Sequence, residues 1–328
     1  MNPGGPAGRR DYEEAHEEQY EEQEEFWPAL NTTMGEDLAA YWGGPWGCAS
    51  ECGPLKAVLL RRPGREIEGM DDPRRWRFAE VMDPERARAQ HDALADAYRQ
   101  AGAAVHYVEE MRADRPNAVF MRDNVFMTPE GAILARQAMD VRRGEEMYVA
   151  KALAGLGVPV LRTISGSGVF EGACAMWVDP ETVILGTGNR CNAEGARQVG
   201  EVLASLGVKY IIPFPIAYGH AHIDGFINMI DRDLALIFPW QVPHDVWQAL
   251  RDRGIRVLTC PSIREARENG ATNFVAVGPR KVVAVKGNSR TAALLEANGV
   301  EVIEVDISEL RKGRGSMHCM TVALAREW

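Results

Sequence analysis

Short apolar runs of three to six residues, each closed by turn residues, recur along this chain, and stretches with helical spacing lie between them. Residues 55–60 read as a strand stopped by Pro63-Gly64, residues 84–102 carry Ala87, Leu94, Ala97 and Tyr98 on one helical face, and residues 105–108 are extended again. Residues 125–127 and 132–134 then flank the turn Thr128-Pro129-Glu130-Gly131, a helix follows near 143–155, and 158–161 are extended. The same order returns as 175–178, 182–185, a helix over 193–206 and a strand at 210–212. It returns again as 226–230, 234–238, a helix around 244–253 and a strand at 256–258. The last copy is 274–277, 282–285, a helix around 290–298 and a strand at 301–305. The hairpins begin near residues 125, 175, 226 and 274, a period of about fifty that belongs to repeated supersecondary units. With a less regular unit at 55–108 and a closing strand at 321–325, the chain counts five units of strand, strand, helix, strand. Five such units in a ring predict a five-bladed α/β propeller of ββαβ units, with helices outside and strand ends around a central pocket. An open doubly wound sheet allows the same alternation without the regular hairpins.

Composition narrows the class. Hydrophobic residues make up 46% of 328, enough for a large core, and no segment reaches about 18 uninterrupted apolar residues, so no membrane span is expected. The formal charge of −10 argues against nucleic acid as a partner. Part of that charge is the glutamate-rich run from Glu13 to Glu25. Residues 1–28 are therefore expected to be an acidic, disordered extension and 29–328 a single catalytic domain. The first residues have no apolar signal core, and six cysteines (Cys48, Cys52, Cys174, Cys191, Cys260 and Cys319) show no disulfide spacing, which points to the cytoplasm. Residues 41–47, rich in Trp and Gly, read as a packed loop. Cys48 and Cys52 lack a second close pair, so they predict no metal site. A homo-oligomer is left open.

Candidate chemistry gathers just before successive hairpins: Met121-Arg122-Asp123-Asn124, then Glu171-Gly172-Ala173-Cys174, then His220-Ala221-His222-Ile223-Asp224. To these the stretch Gly313-Arg314-Gly315-Ser316-Met317-His318-Cys319 adds a thiol after glycines that let the backbone bend or approach closely. A thiol, an imidazole and several carboxylates at matching places suit attack on the electron-poor carbon of a cationic group. Asp123 and Asp224 would accept paired N–H bonds from a planar guanidinium. The bound cation would favour the thiolate of Cys319, His222 would carry the proton, and Glu171 would fix its tautomer. Alternative readings are a local Arg122–Asp123 surface pair, a solvated turn at Glu171, an inert buried Cys319, and a metal held by His220 and His222.

Read together, Met121-Arg122-Asp123, Glu171-Gly172, Gly186-Thr187-Gly188-Asn189-Arg190, His222-Ile223-Asp224 and residues 313–321 resemble the guanidino-group-modifying enzymes, the superfamily of arginine deiminases, dimethylarginine hydrolases and amidinotransferases. The resemblance covers roughly residues 50–328. It implies the pentein fold, a pseudo-fivefold propeller around a central active site, with Cys319 as nucleophile, His222 as general acid and base, and Glu171 as its partner. Asp123 and Asp224 would hold the guanidinium and Arg190 a substrate carboxylate, while the pair Arg142-Arg143 is assigned to the helix surface. The implied activity is hydrolysis of a small guanidino compound through an amidino-cysteine intermediate, with no metal and no cofactor. Amidino transfer to an amine is the alternative, and a non-catalytic binding protein of the same fold is the second. One departure stands out: family hydrolases read Glu-Gly-Gly-Asp where this chain has Glu171-Gly172-Ala173-Cys174, which puts the substrate in doubt and makes Cys174 a packed small residue.

Overall fold

The computed structural model of the chain describes residues 32–328, and the expected acidic extension lies outside the described residues. Fifteen strands form five sheets of three. In chain order they are β1 (Leu55–Leu60), β2 (Ala104–Tyr107), β3 (Val125–Thr128), β4 (Gly131–Leu134), β5 (Val160–Thr163), β6 (Ala175–Asp179), β7 (Thr182–Thr187), β8 (Tyr210–Pro215), β9 (Ile227–Asp231), β10 (Leu234–Ile237), β11 (Arg256–Thr259), β12 (Val275–Gly278), β13 (Lys281–Val285), β14 (Glu301–Val305) and β15 (Val322–Arg326). In every sheet the middle strand pairs antiparallel with one neighbour and parallel with the other: β4 joins Val125 opposite Leu134 to Ala132 opposite Val160, for example. The parallel step requires a crossover, and a helix supplies it each time. These are α2 (Pro84–Gln100), α3 (Glu145–Leu156), α4 (Ala193–Ser205), α5 (His244–Asp252) and α7 (Ser289–Glu296). Three further helices, α1 (Met34–Tyr41), α6 (Ile263–Asn269) and α8 (Met317–Met320), stand outside the repeat.

Burial explains why the pattern was readable. Strands β3 and β4 are buried at every position, whereas β5 and β11 are exposed at both ends and half-buried between. Hairpins thus form the inner wall and third strands the rim. Helix α2 starts where the sequence provides a stop for free N–H groups: Asp83 accepts from the Arg86 N–H, Pro84 occupies the first turn, and Ala87, Leu94 and Tyr98 face inward.

The first sheet is completed from the far end of the chain. β15 pairs antiparallel with β1, bringing Val322 opposite Leu59, and β2 pairs parallel on the other side. Sheets then touch their neighbours through β15 and β3, β1 and β12, and β12 and β9, giving the five-bladed α/β propeller expected from the repeat. The 41–47 loop seals this closure: the Gly47 N–H donates to Leu324, Trp46 packs edge-on against His106, and neither Trp42 nor Trp46 lines the central cleft.

At one end, 3-10 turns precede the hairpins and pack on one another: Met121–Asn124 against Gly172–Cys174 and against α8, and Gly172–Cys174 against Ile223–Gly225. Gly172 makes this possible, since a Cβ there would lie 2.3 Å from the Val125 carbonyl oxygen.

Candidate active site

The packed turns enclose a cleft of about 780 Å³ lined by Asp123, Arg142, Arg190, His222, Arg314 and Cys319 among others. A smaller adjoining hollow of about 270 Å³ shares His222, Arg314 and Cys319 and adds Asp224 and Asn273. All the predicted site residues except Glu171 therefore reach the walls of these hollows. Glu171 sits behind His222, fully buried, and binds it.

Cys319 stands in the short helix α8, and of the six cysteines it alone is not fully buried. The approach differs in detail from the expectation. The left-handed residue is Arg314 itself, with φ of 66°, while Gly313 and Gly315 are needed for close approach to the Phe120 ring, which a Cβ on Gly315 would meet at 2.1 Å. The thiol lies 3.3 Å from Asp224 Oδ2 and 3.3 Å from Asn273 Nδ2. Burial, with Asp224 and Asp123 nearby, pushes its pKa well above the usual 9.0.

His222 Nε2 is 2.7 Å from Glu171 Oε2, and its Nδ1 faces Asp123 Oδ1 at 3.5 Å. Burial alone would lower the imidazole's pKa. The carboxylates of Asp123 and Glu171 outweigh it and raise the pKa above 6.5. Glu171 also accepts the Ala138 N–H and two bonds from Arg190, at 3.0 and 3.1 Å. Against the burial that would raise it, His222 and Arg190 bring its pKa down to about 2. Glu171 is thus no solvated turn residue.

Asp123 and Asp224 each keep one oxygen occupied. Asp123 Oδ2 accepts from Arg142 Nη1, while its Oδ1 is buried without a hydrogen-bond partner. Asp224 Oδ2 takes both the thiol and His318 Nδ1, the latter at 3.1 Å. In the free site, then, neither carboxylate presents two unengaged oxygens.

One assignment read from sequence is corrected, and one alternative reading falls. Arg142 does not cap a helix surface: it is 4% exposed and binds Asp123, Glu145 and the carbonyls of Asn117 and Phe120. Arg122 makes no surface pair with Asp123 but turns away to Glu51 and the Ala175 carbonyl, both at 2.9 Å. Arg190 lines the cleft yet spends Nη1 on Glu171. Cys174 is fully buried, as expected of a packed small residue, and Cys48 and Cys52 are also buried. His220 lies edge-on to Phe226, 4.9 Å between centroids, away from the group of possible metal ligands found among the described residues, Asp123, Glu171 and His222.

Sequence reading passed over Asn273 and His318. Asn273 Oδ1 accepts the N–H groups of His318 and Cys319, at 3.0 and 3.3 Å, and its Nδ2 reaches the thiol and the Asp224 carbonyl. It stands just before the fourth hairpin, the place that carries chemistry in the other three units, and that position was the available signal.

The family model for N,N dimethylarginine dimethylhydrolase, eukaryotic, matches residues 74–326. The chain belongs to that dimethylarginine dimethylhydrolase family. It is an enzyme family acting on guanidino groups, whose relatives span hydrolases of several substrates. Among curated proteins, the uncharacterized protein YkgA of Bacillus subtilis is 26% identical over 281 residues, which is 85% of this chain and 95% of YkgA. Arginine deiminase of Latilactobacillus sakei is 22% identical, over 85% of this chain and 97% of its own length. In fold, this dimethylarginine dimethylhydrolase-family chain matches Pseudomonas aeruginosa DDAH, solved as a cysteine-to-serine mutant complexed with citrulline, with a TM-score of 0.67. Identity there is 24%, covering 82% of this chain and 99% of that one.

Proposed function

We propose that this chain hydrolyses a small guanidino compound, arginine or a modified arginine, through a covalent amidino-cysteine intermediate on Cys319. The observation that carries the reading is the cleft's pair of carboxylates, Asp123 with an unpartnered oxygen and Asp224 bonded to the thiol. A guanidinium lying between them satisfies Asp123 Oδ1 and brings a positive charge beside a sulfur that otherwise resists ionisation. Substrate binding then supplies what the free site lacks.

In this mechanism binding of the cation lets the Cys319 thiol release its proton to solvent, and the thiolate so formed adds to the guanidino carbon as the C=N electrons move to nitrogen. His222, protonated and held by Glu171, gives its proton to the departing nitrogen, and the C–N bond breaks to leave an amidino group on sulfur. Neutral His222 next takes a proton from water as the oxygen adds to that carbon. Collapse breaks the C–S bond, yielding a ureido product and the thiol. Asn273 steadies the sulfur throughout by its Nδ2 contact. Arg190 serves first to keep Glu171 ionised, and a substrate carboxylate engages it only by displacing that pair. We assign the reaction to a single domain over residues 29–328 in the cytoplasm.

The deciding experiment is mass spectrometry of products after incubation with arginine, methylated arginines and agmatine, with and without an amine acceptor, for the protein and for Cys319→Ser. A ureido product formed without acceptor, and reduced at least about 10³-fold by the substitution, is expected. Product appearing only with the amine would make the chain an amidinotransferase. Turnover abolished by a chelator and intact in Cys319→Ser would move the chemistry to Asp123, Glu171 and His222 as metal ligands.

A further inference from the structure

Behind Asp224 runs a line of buried ionisable side chains, His318, Glu51 and Arg122, that the reaction above leaves unused. Asp224 Oδ2 meets His318 Nδ1 at 3.1 Å, His318 Nε2 meets Glu51 Oε2 at 3.3 Å, and Glu51 Oε1 meets Arg122 Nη2 at 2.9 Å. All four residues are 5% exposed or less. Both ring nitrogens of His318 face carboxylate oxygens, and an ionised carboxylate can only accept. The ring therefore satisfies both neighbours only as an imidazolium, donating at each end. Its charge and that of Arg122 balance Asp224 and Glu51, which is the condition for burying four charges together.

We propose that His318 is a positioning residue: as a fixed buried cation backed by Glu51 and Arg122, it pins Asp224 Oδ2 in place and sets how readily Cys319 ionises. Pinning leaves the other Asp224 oxygen to a ligand. The charge also offsets the negative field that Asp224 casts on the sulfur. The groups that bear on this thiol are Asp224, Asp123 and Arg311, and those that bear on His318 are Asp224, Glu51 and Arg122. Consistent with the geometry, the two carboxylates raise the pKa of His318 above 6.5 against the burial that would lower it. Nothing in the line except Asp224 borders either hollow, so Glu51 and Arg122 act through His318.

This inference rests on Cys319 being the reactive thiol of the proposed hydrolysis, yet it is tested without any substrate. The rate of alkylation of Cys319 by iodoacetamide at fixed pH, read by peptide mass, reports the thiolate fraction, and one unit of thiol pKa is a tenfold change in rate below that pKa. His318→Gln removes the cation and should slow alkylation by about tenfold, whereas Glu51→Gln removes an anion behind it and should speed alkylation several-fold. Opposite signs at the two ends of one line are the expected result. Structural loosening alone would expose the sulfur and speed both, and that outcome, or no change in either, overturns the proposal. A measurement on the unaltered protein covers the case in which a variant fails to fold: nitrogen NMR of labelled histidines should show the His318 ring still an imidazolium at a pH where free histidine has lost its proton. A neutral His318 at that pH would sink the idea. Loss of turnover with normal alkylation signs would instead count against the hydrolysis reading alone.

Discussion

Two arginines in the cleft wall look alike in sequence and do opposite work. Arg142 is enclosed by Asp123, Glu145 and two carbonyls, so removing it leaves two buried carboxylates short of a partner, and Glu145 retains only the Asn124 amide. Arg142→Met is therefore expected to cost about 3–5 kcal/mol in urea denaturation, the range for breaking a buried ion pair from one side. Arg190 has part of its side chain in solvent, and Glu171 keeps His222 and the Ala138 N–H without it. Arg190→Met should lower the urea midpoint clearly less than Arg142→Met does, and an equal loss would reverse the assignment. Sequence could not separate these two, because what distinguishes them is whether acidic partners 3 and 19 residues away converge in space. The catalytic candidates were legible for a different reason: Asp123, Glu171 and Asp224 each sit at the same point of a repeat, so position substituted for three-dimensional knowledge. His318 had no such support, since its partners Glu51 and Asp224 lie 267 and 94 residues off.

At the scale of elements, the site depends on how closely three turns can stack. Gly172 is wedged against the Val125 and Arg122 carbonyls, at 2.3 and 2.5 Å from an added Cβ, and backbone cannot yield as a flexible side chain does. Gly172→Ala is expected to destabilise by about 1–3 kcal/mol and to displace Glu171 from His222. Gly225, in the neighbouring turn, has nothing within 4 Å of an added Cβ, so Gly225→Ala should stay within about 0.5 kcal/mol. Thermal melts of the two variants side by side check the contrast, and equal melting temperatures would refute it. The hairpins were readable because their strands are buried on both faces and bounded by turn residues. Helices α1 and α6 were not. The latter is seven residues long and buries only Glu265 and Ala266, so it offers no apolar period, and its cap at Ser262 is a contact rather than a pattern. Glu265 in turn accepts the N–H groups of Arg290 and Thr291, so one helix caps the next across the sequence.

Taken as a whole, the molecule buries a small set of paired charges at its centre, and this gives its stability a defined pH window. Burial would raise Glu51, Glu171 and Asp224, but Arg122 and His318 on Glu51, His222 on Glu171 and His318 on Asp224 hold each at about 2, against ordinary values of 4.5, 4.5 and 3.8. The unfolded chain binds these protons first, so the stabilisation is present above about pH 4.5 and is lost as pH falls toward 2. His222 and His318 are shifted up, so their contribution is full below pH 6.5 and fades as pH rises through their folded values. Melting temperature should accordingly be highest near pH 6.5: below it the unfolded chain takes a proton that buried His91, lowered to about 4, refuses, the loss steepens toward pH 2, and stability also fades above pH 6.5; a flat profile from pH 7 to pH 3 would contradict the charge placement.

Closure of the propeller has a consequence for how the protein comes into being. Strand β1 precedes the other four sheets along the chain and its antiparallel partner β15 follows them, with Cys319 immediately before that partner. Until then the first blade is a half-built edge with unpaired backbone groups. A chain cut just ahead of α8 therefore lacks both the Cys319 thiol and the strand that completes the first sheet.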